Sequence, residues 1–570
     1  MKLEKKQRAF VKSDLAISNW QSIEEYFKHL VERPINSKED LLVWLNDRSE
    51  LDAILEEDAA WRYIRMTIDT ANEKHQENYR VYVAEIQPKI APYEHLLNEK
   101  LASCPFINEL KSDSAFFIYF RSITTAIELY REQNIPIEAL INEKSQEFGK
   151  ISGAQTITFE GKELTMQQAS MYLKDPKESI RKEVWELMAE RRKKDIESLD
   201  NLYSLLVQKR HEMAINAGFD NFRDYKFKAL GRFDYTKEDC FQFHSTVKAH
   251  IVPVVKKIQQ RKLSQLGKEK FSPWDTEVDP LGNAPLKPFQ SGKELLKGTL
   301  NMLSQLDSFF ADCLSTMDQM GYLDLESKPG KAPGGYNYPL DEIGIPFIFM
   351  NSVGLQRDLV TMVHESGHAI HSILTRDLPL TGFKNLPSEV AELASMSMEL
   401  LTMESWGEFY NDSKELERAK REQMESIITI LPWIAQIDEF QHWIYEHPDH
   451  AVNARYEKWI DLSNQYGTGL TDWKGHEYVR MVTWQRQMHL FEVPFYYIEY
   501  GIAQLGALGI WKNYRENPSQ TVLNYTEALK LGYTKTIPEI YSTAGVQFDF
   551  SSDYIQSLVK EVEELLVTKE

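Results

Sequence analysis

Residues 355–376 read LQRDLVTMVHESGHAIHSILTR, and within them Leu359, Val363, Ile370 and Leu374 recur at the spacing of one helical face. The same segment contains His364-Glu365-Ser366-Gly367-His368, an HExxH pattern. On a helix, positions i and i+4 project from one face a turn apart, so two imidazoles can reach one zinc ion at roughly 2.0–2.1 Å. Glu365 then sits beside the ion, placed to handle water rather than to bind metal. Two other His-Glu pairs, His211-Glu212 and His476-Glu477, have Ile215 and Arg480 where a second histidine would be needed. Neither can repeat the arrangement.

A catalytic zinc site needs a third protein ligand and one open position. His371 lies about 10 Å along the helix axis from His364, too far to share an ion easily. Residues 388–403, SEVAELASMSMELLTM, supply a better source on a second expected helix. Glu392 and Glu399 share a face bordered by Leu393, Met396 and Leu400, where an unsatisfied carboxylate is costly. Glu392 is read as the third ligand and Glu399 as an acceptor for the N–H of a ligand histidine. Glu389 is read as a first-turn acid favoured by the helix dipole. His371 and Leu374 stand where a metzincin requires Gly and His, which excludes that class.

Outward from this centre, helical periodicity dominates. Ile196, Leu199, Tyr203 and Leu206 form one stripe ending at Gly218, and Ile555, Leu558, Val559, Val562, Leu565 and Leu566 form another. Strand signals are few: Ile157 and Phe159 before Glu160-Gly161, and the apolar run Pro346–Met350. The expected fold is mainly α, with loops at 272–293 and 328–346 and a boundary near residue 205 between an N-terminal helical region (1–205) and a catalytic region (206–570).

The net charge of −20 repels phosphate backbones, and no dense Lys/Arg cluster reverses it, so nucleic acid is not an expected partner. Cys104, Cys240 and Cys313 are odd in number and have no CxxC spacing, which suggests neither a disulfide framework nor a thiolate zinc site. The opening MKLEKKQRAFVKSDLAISNW lacks an apolar signal-peptide core, and no later run is long enough to span a bilayer. The expectation is a cytoplasmic protein with no membrane association.

The chain resembles the thimet oligopeptidase and oligoendopeptidase F family of zinc peptidases. The resemblance is carried by KAPGGYNYP (331–339), PFIFMN (346–351), HESGHAIH (364–371) and EVAELASMSME (389–399), and continues toward the C-terminus. It implies a two-lobed helical zincin with a deep substrate channel and a small β-sheet beside one zinc ion, held by His364, His368 and Glu392 with Glu365 as general base. PFIFMN looks like the edge strand of that sheet, where Ile348, Phe349 and Met350 would receive a peptide by strand addition. Further on, HLFEVPFYYIEY (489–500) looks like the family's histidine followed by closely spaced tyrosines. By resemblance Tyr500 donates to the oxyanion, His489 assists it and Tyr497 contacts substrate, while Tyr496 is expected to pack elsewhere. Pro494 is expected to open the helix that carries them. Thimet-type members have a Gly-rich, Tyr-containing stretch after the histidine, and Phe491–Val493 has neither residue.

The implied activity is hydrolysis of peptide bonds in short peptides by a zinc endopeptidase. A zinc (dipeptidyl) carboxypeptidase is the alternative within the same chemistry. A non-catalytic zinc-containing peptide-binding protein is the alternative outside it, and the lack of a fourth ligand or cysteine near His364 speaks against it.

Overall fold

In the computed structural model, which describes residues 5–567, helix is the dominant element and strands form two small sheets. The long Lys38–Ile68 helix shows how the sequence starts such elements. Ser37 accepts from the Asp40 N–H at its N-terminus, and Glu39 and Asp40 place negative charge in the first turn. Trp44 on this helix is fully buried and donates its indole N–H to the Leu30 carbonyl at 2.9 Å, so a large aromatic enters the core without losing a polar partner.

Strands β1 (Thr156–Phe159) and β2 (Lys162–Thr165) pair antiparallel through the two-residue turn Glu160-Gly161, both at positive φ. Ile157 and Phe159 bury against Ala169, Val184 and Met188. The alternation seen in the sequence sorts the two faces of β1.

The second sheet contains β3 (Leu323–Glu326), β4 (Tyr336–Tyr338) and β5 (Phe347–Ser352) in the order β3-β5-β4. β5 runs parallel to β3 and antiparallel to β4, so it is the central strand and not the expected edge. Ile348, Phe349 and Met350 are buried; Ile348 and Phe349 are paired on both edges, and the Met350 carbonyl accepts from Lys331, which closes the strand-addition route at Ile348 and Phe349. The outer strands are β3 and β4. The stretch 328–346, expected as loop, thus contributes β4. Lys331 anchors the rest of it by donating to the carbonyls of Asp324, Glu326 and Met350.

The chain forms two compact units, each woven from three segments. One takes in the chain up to Glu128, Leu286–Lys420 and Ala503–Phe548; the other holds Leu129–Pro285, Arg421–Ile502 and the chain from Asp549. Residue 205 falls inside the Ile196–Asn216 helix, and each unit draws on both sides of it. Among the described residues no helix is long and apolar enough to cross a membrane.

Candidate metal and catalytic site

The HExxH residues lie on the Gln356–Thr375 helix, in the first unit. Its start is fixed by Asp358, which accepts from the backbone N–H groups of Val353 and Leu355 at 2.8 and 3.0 Å. Gly354, at φ 92°, precedes it; a Cβ there would stand 2.7 Å from the Phe289 carbonyl oxygen. The Ser388–Thr402 helix packs across the HExxH helix at its narrowest point. A Cβ on Gly367 would meet the Ser395 Cα at 2.7 Å and the Ala394 carbonyl at 2.8 Å, so the glycine sets how closely the two backbones approach.

That approach brings His364, His368 and Glu392 together, with donor atoms within 4.8 Å of one another. Glu392 Oε2 lies 3.4 Å from His364 Nε2 and 3.7 Å from His368 Nε2, and the two rings stand 4.9 Å apart at 83°. Ser395 donates to the same Glu392 oxygen at 3.0 Å. His364 Nδ1 lies 2.7 Å from Glu399 Oε1. Two phenols in the same unit hold the second helix: Tyr525 donates to the Ala394 carbonyl and Tyr541 to that of Glu389. From β4, Asn337 donates its amide N–H to the Glu365 carbonyl.

Charge is strongly biased here. Burial works against a protonated His364, yet its hydrogen bonds with Glu392 and Glu399 hold its pKa well above the ordinary histidine value. Burial also opposes ionised Glu392, but the His364 hydrogen bond and the charge of His368 bring it down to about 2. His368 is pushed down to about 4, chiefly by burial, and Glu365 up to about 7 for the same reason. The carboxylates thus favour positive charge in the cluster. With two imidazole nitrogens and one carboxylate oxygen converging, the donor set fits a divalent zinc ion. His371 does not join it: the ring is 1 % exposed and burial lowers its pKa to about 3.

His489, Tyr497 and Tyr500 lie in the second unit and come together there. His489 packs 4.7 Å from the Tyr497 ring and 5.9 Å from that of Tyr500, and its Nδ1 is 2.6 Å from Gln487 Nε2. Burial lowers the His489 pKa to about 4 and raises that of Tyr497 to about 12. Tyr496, expected elsewhere, belongs to the same cluster, with its ring 5.3 Å from Tyr500 and 6.2 Å from His489. Nor does Pro494 open the helix, which begins at Tyr497. Phe495 intervenes at φ 66°, its N–H donating to Gln441 at 2.7 Å and its carbonyl accepting from Arg232. Arg232 also pairs with buried Glu499 at 2.9 Å. Arg210 donates to the carbonyls of Leu490 and Phe491, and Ser145 to the latter, which steadies the short Met488–Glu492 helix that carries His489. These buried arginines gave no signal in the sequence.

Residues 10–130 match the Peptidase M3 N-terminal domain, and residues 171–560 match Peptidase family M3. Oligoendopeptidase F, chromosomal, of Lactococcus lactis subsp. cremoris is 28 % identical over 253 residues, which cover 43 % of this chain and 40 % of that protein. The chain therefore spans less than half the length of that relative. Group B oligopeptidase PepB of Streptococcus agalactiae serotype III (strain NEM316) is 20 % identical over 511 residues, 87 % of this chain and 79 % of that protein. Among solved structures, PZ peptidase A with inhibitor 2 superposes at a TM-score of 0.89 with 27 % identity, covering 99 % of this chain and 100 % of that one. Oligoendopeptidase-F from Enterococcus faecium shares the fold at a TM-score of 0.65 and 14 % identity, with 96 % and 98 % covered. With well over half of its length matched by the family, the chain belongs to peptidase family M3.

Proposed function

We propose that this protein is a zinc metalloendopeptidase that hydrolyses peptide bonds in short peptides. The observation that carries the reading is the convergence of His364, His368 and Glu392 from two helices, with Glu365 on the same helical turn as the histidines. Membership of peptidase family M3 supports it. Zinc held by these three residues would supply a Lewis acid that acidifies water toward a pKa of about 7 and polarises a carbonyl.

Glu365 takes the proton from water as its oxygen attacks the amide carbon, then returns a proton to the departing nitrogen. Burial raises the Glu365 pKa toward the neutral range, which suits a group that must both take and return a proton. Glu399 holds the His364 ring through Nδ1 and leaves Nε2 to the ligand cluster, where it would bind zinc. On the family resemblance, the Tyr500 phenol donates to the carbonyl oxygen as negative charge develops on it, His489 assists, and Tyr497 contacts the substrate backbone.

The test is Glu365→Gln assayed on an internally quenched peptide blocked at both ends. Metal content by elemental analysis should stay at the wild-type level while turnover falls by about 100-fold to 10,000-fold. A variant that cleaves at the wild-type rate rejects the general-base assignment. A wild-type enzyme that cuts only free carboxyl-terminal peptides would instead mark a carboxypeptidase.

A further inference from the structure

The second unit contains another set of metal-binding donors, remote in sequence from the HExxH helix. Cys240 and His244 sit at i and i+4 on the Lys237–Thr246 helix, and Asp438 and His442 at i and i+4 on the Ser413–Glu446 helix. All four are at most 2 % exposed. One donor atom each from Cys240, Asp438 and His442 lie within 4.8 Å of one another. His244 Nε2 is 2.8 Å from Asp438 Oδ2, and His442 Nε2 is 3.2 Å from the same oxygen.

The cluster leaves donors and acceptors unspent. Asp438 Oδ1 and His442 Nδ1 are buried without a hydrogen-bond partner. A buried polar atom in that state costs roughly 1–3 kcal/mol, so two in one cluster call for a ligand. Phe241, Phe495 and Phe227 pack around His442 with ring centroids 4.8, 5.4 and 5.7 Å away, which makes the surroundings dry.

We propose that Cys240, Asp438 and His442 form a second, three-ligand transition-metal site, with His244 orienting the carboxylate. A thiolate and a carboxylate together carry two negative charges, which a divalent cation cancels inside a region that tolerates no net charge. The mixture of thiolate, imidazole and carboxylate in a buried, apolar setting suits zinc. Binding expels the Cys240 thiol proton to solvent and ties two helices of the unit together.

Cobalt(II) exchanged into the full-length protein tests this, because thiolate-to-cobalt charge transfer absorbs in the near ultraviolet and the His364–His368–Glu392 set has no sulfur. The band is expected in wild type, in His364→Ala, and in Cys104→Ser and Cys313→Ser, and is expected to vanish in Cys240→Ser. Elemental analysis of the zinc protein should show one equivalent fewer per chain in Cys240→Ser and in His442→Gln. If Cys240→Ser fails to fold, the wild-type and His364→Ala spectra decide alone. Absence of the band from wild type, or its persistence in folded Cys240→Ser, overturns the site and leaves a metal-free Asp–His cluster. Loss of metal and activity in His364→Ala with the band retained would concern only the catalytic reading.

Discussion

Glu399 Oε1 lies 2.7 Å from His364 Nδ1, while the opposite nitrogen of that ring faces Glu392 Oε2 at 3.4 Å. One carboxylate therefore fixes the tautomer and tilt of the imidazole, and the other stands beside Nε2, the nitrogen that would bind the proposed zinc. Replacing Glu399 by Gln keeps the size of the side chain but removes the charge. The expected outcome is a metal affinity or turnover lower by about 10-fold to 100-fold, read by competition with a chelator and by peptide cleavage. Unchanged affinity and turnover would make Glu399 a bystander.

Gly367 is expected to be intolerant of even one methyl group. Both atoms that a Cβ would strike, Ser395 Cα and the Ala394 carbonyl oxygen, are backbone and cannot swing aside. Gly367→Ala should force the two helices apart, costing about 1–3 kcal/mol in denaturant unfolding and loosening the three-ligand cluster. A variant with wild-type stability and metal content would mean that the helices slide without penalty.

His371 predicts a pH dependence of stability. Its pKa is depressed to about 3 in the folded protein, from an ordinary 6.5, chiefly by burial. The unfolded chain therefore binds more protons between these values, and stability falls as pH drops from about 6.5 toward 3. His371→Leu removes this contribution. Its stability relative to wild type should rise steadily as pH is lowered through that window, measured by urea unfolding, and an unchanging difference would contradict the assignment.

Tyr500→Phe keeps the ring packing against His489, Tyr496 and Tyr497 and removes only the phenol. If that phenol stabilises developing negative charge, turnover should fall by about 100-fold to 1000-fold with KM little altered. Unaltered turnover would remove Tyr500 from the reaction.

What could be read from the sequence was what local periodicity encodes. The HExxH spacing, the face shared by Glu392 and Glu399, and the alternation of Ile157 and Phe159 each depend on residues a few positions apart. The place of β5 in its sheet could not be read this way. An apolar run looks the same at an edge or in the centre, and its second partner, β4, is a three-residue strand between Gly335 and Pro339 with no periodic signal. Tyr496 was misplaced because helical spacing does not extend back through Phe495, whose left-handed backbone changes the direction of the chain. The i, i+4 pairs Cys240/His244 and Asp438/His442 were each visible, but nothing local says that they meet.

Phe495 carries a further consequence. A buried phenylalanine at φ 66°, gripped through its N–H by Gln441 and through its carbonyl by Arg232, makes the turn before the Tyr497–Glu516 helix a joint of fixed length. Adding or deleting one residue there would rotate every side chain of the following helix by roughly 100° relative to His489. Length variation among relatives should thus collect in surface stretches such as 281–285 and spare the four residues 493–496.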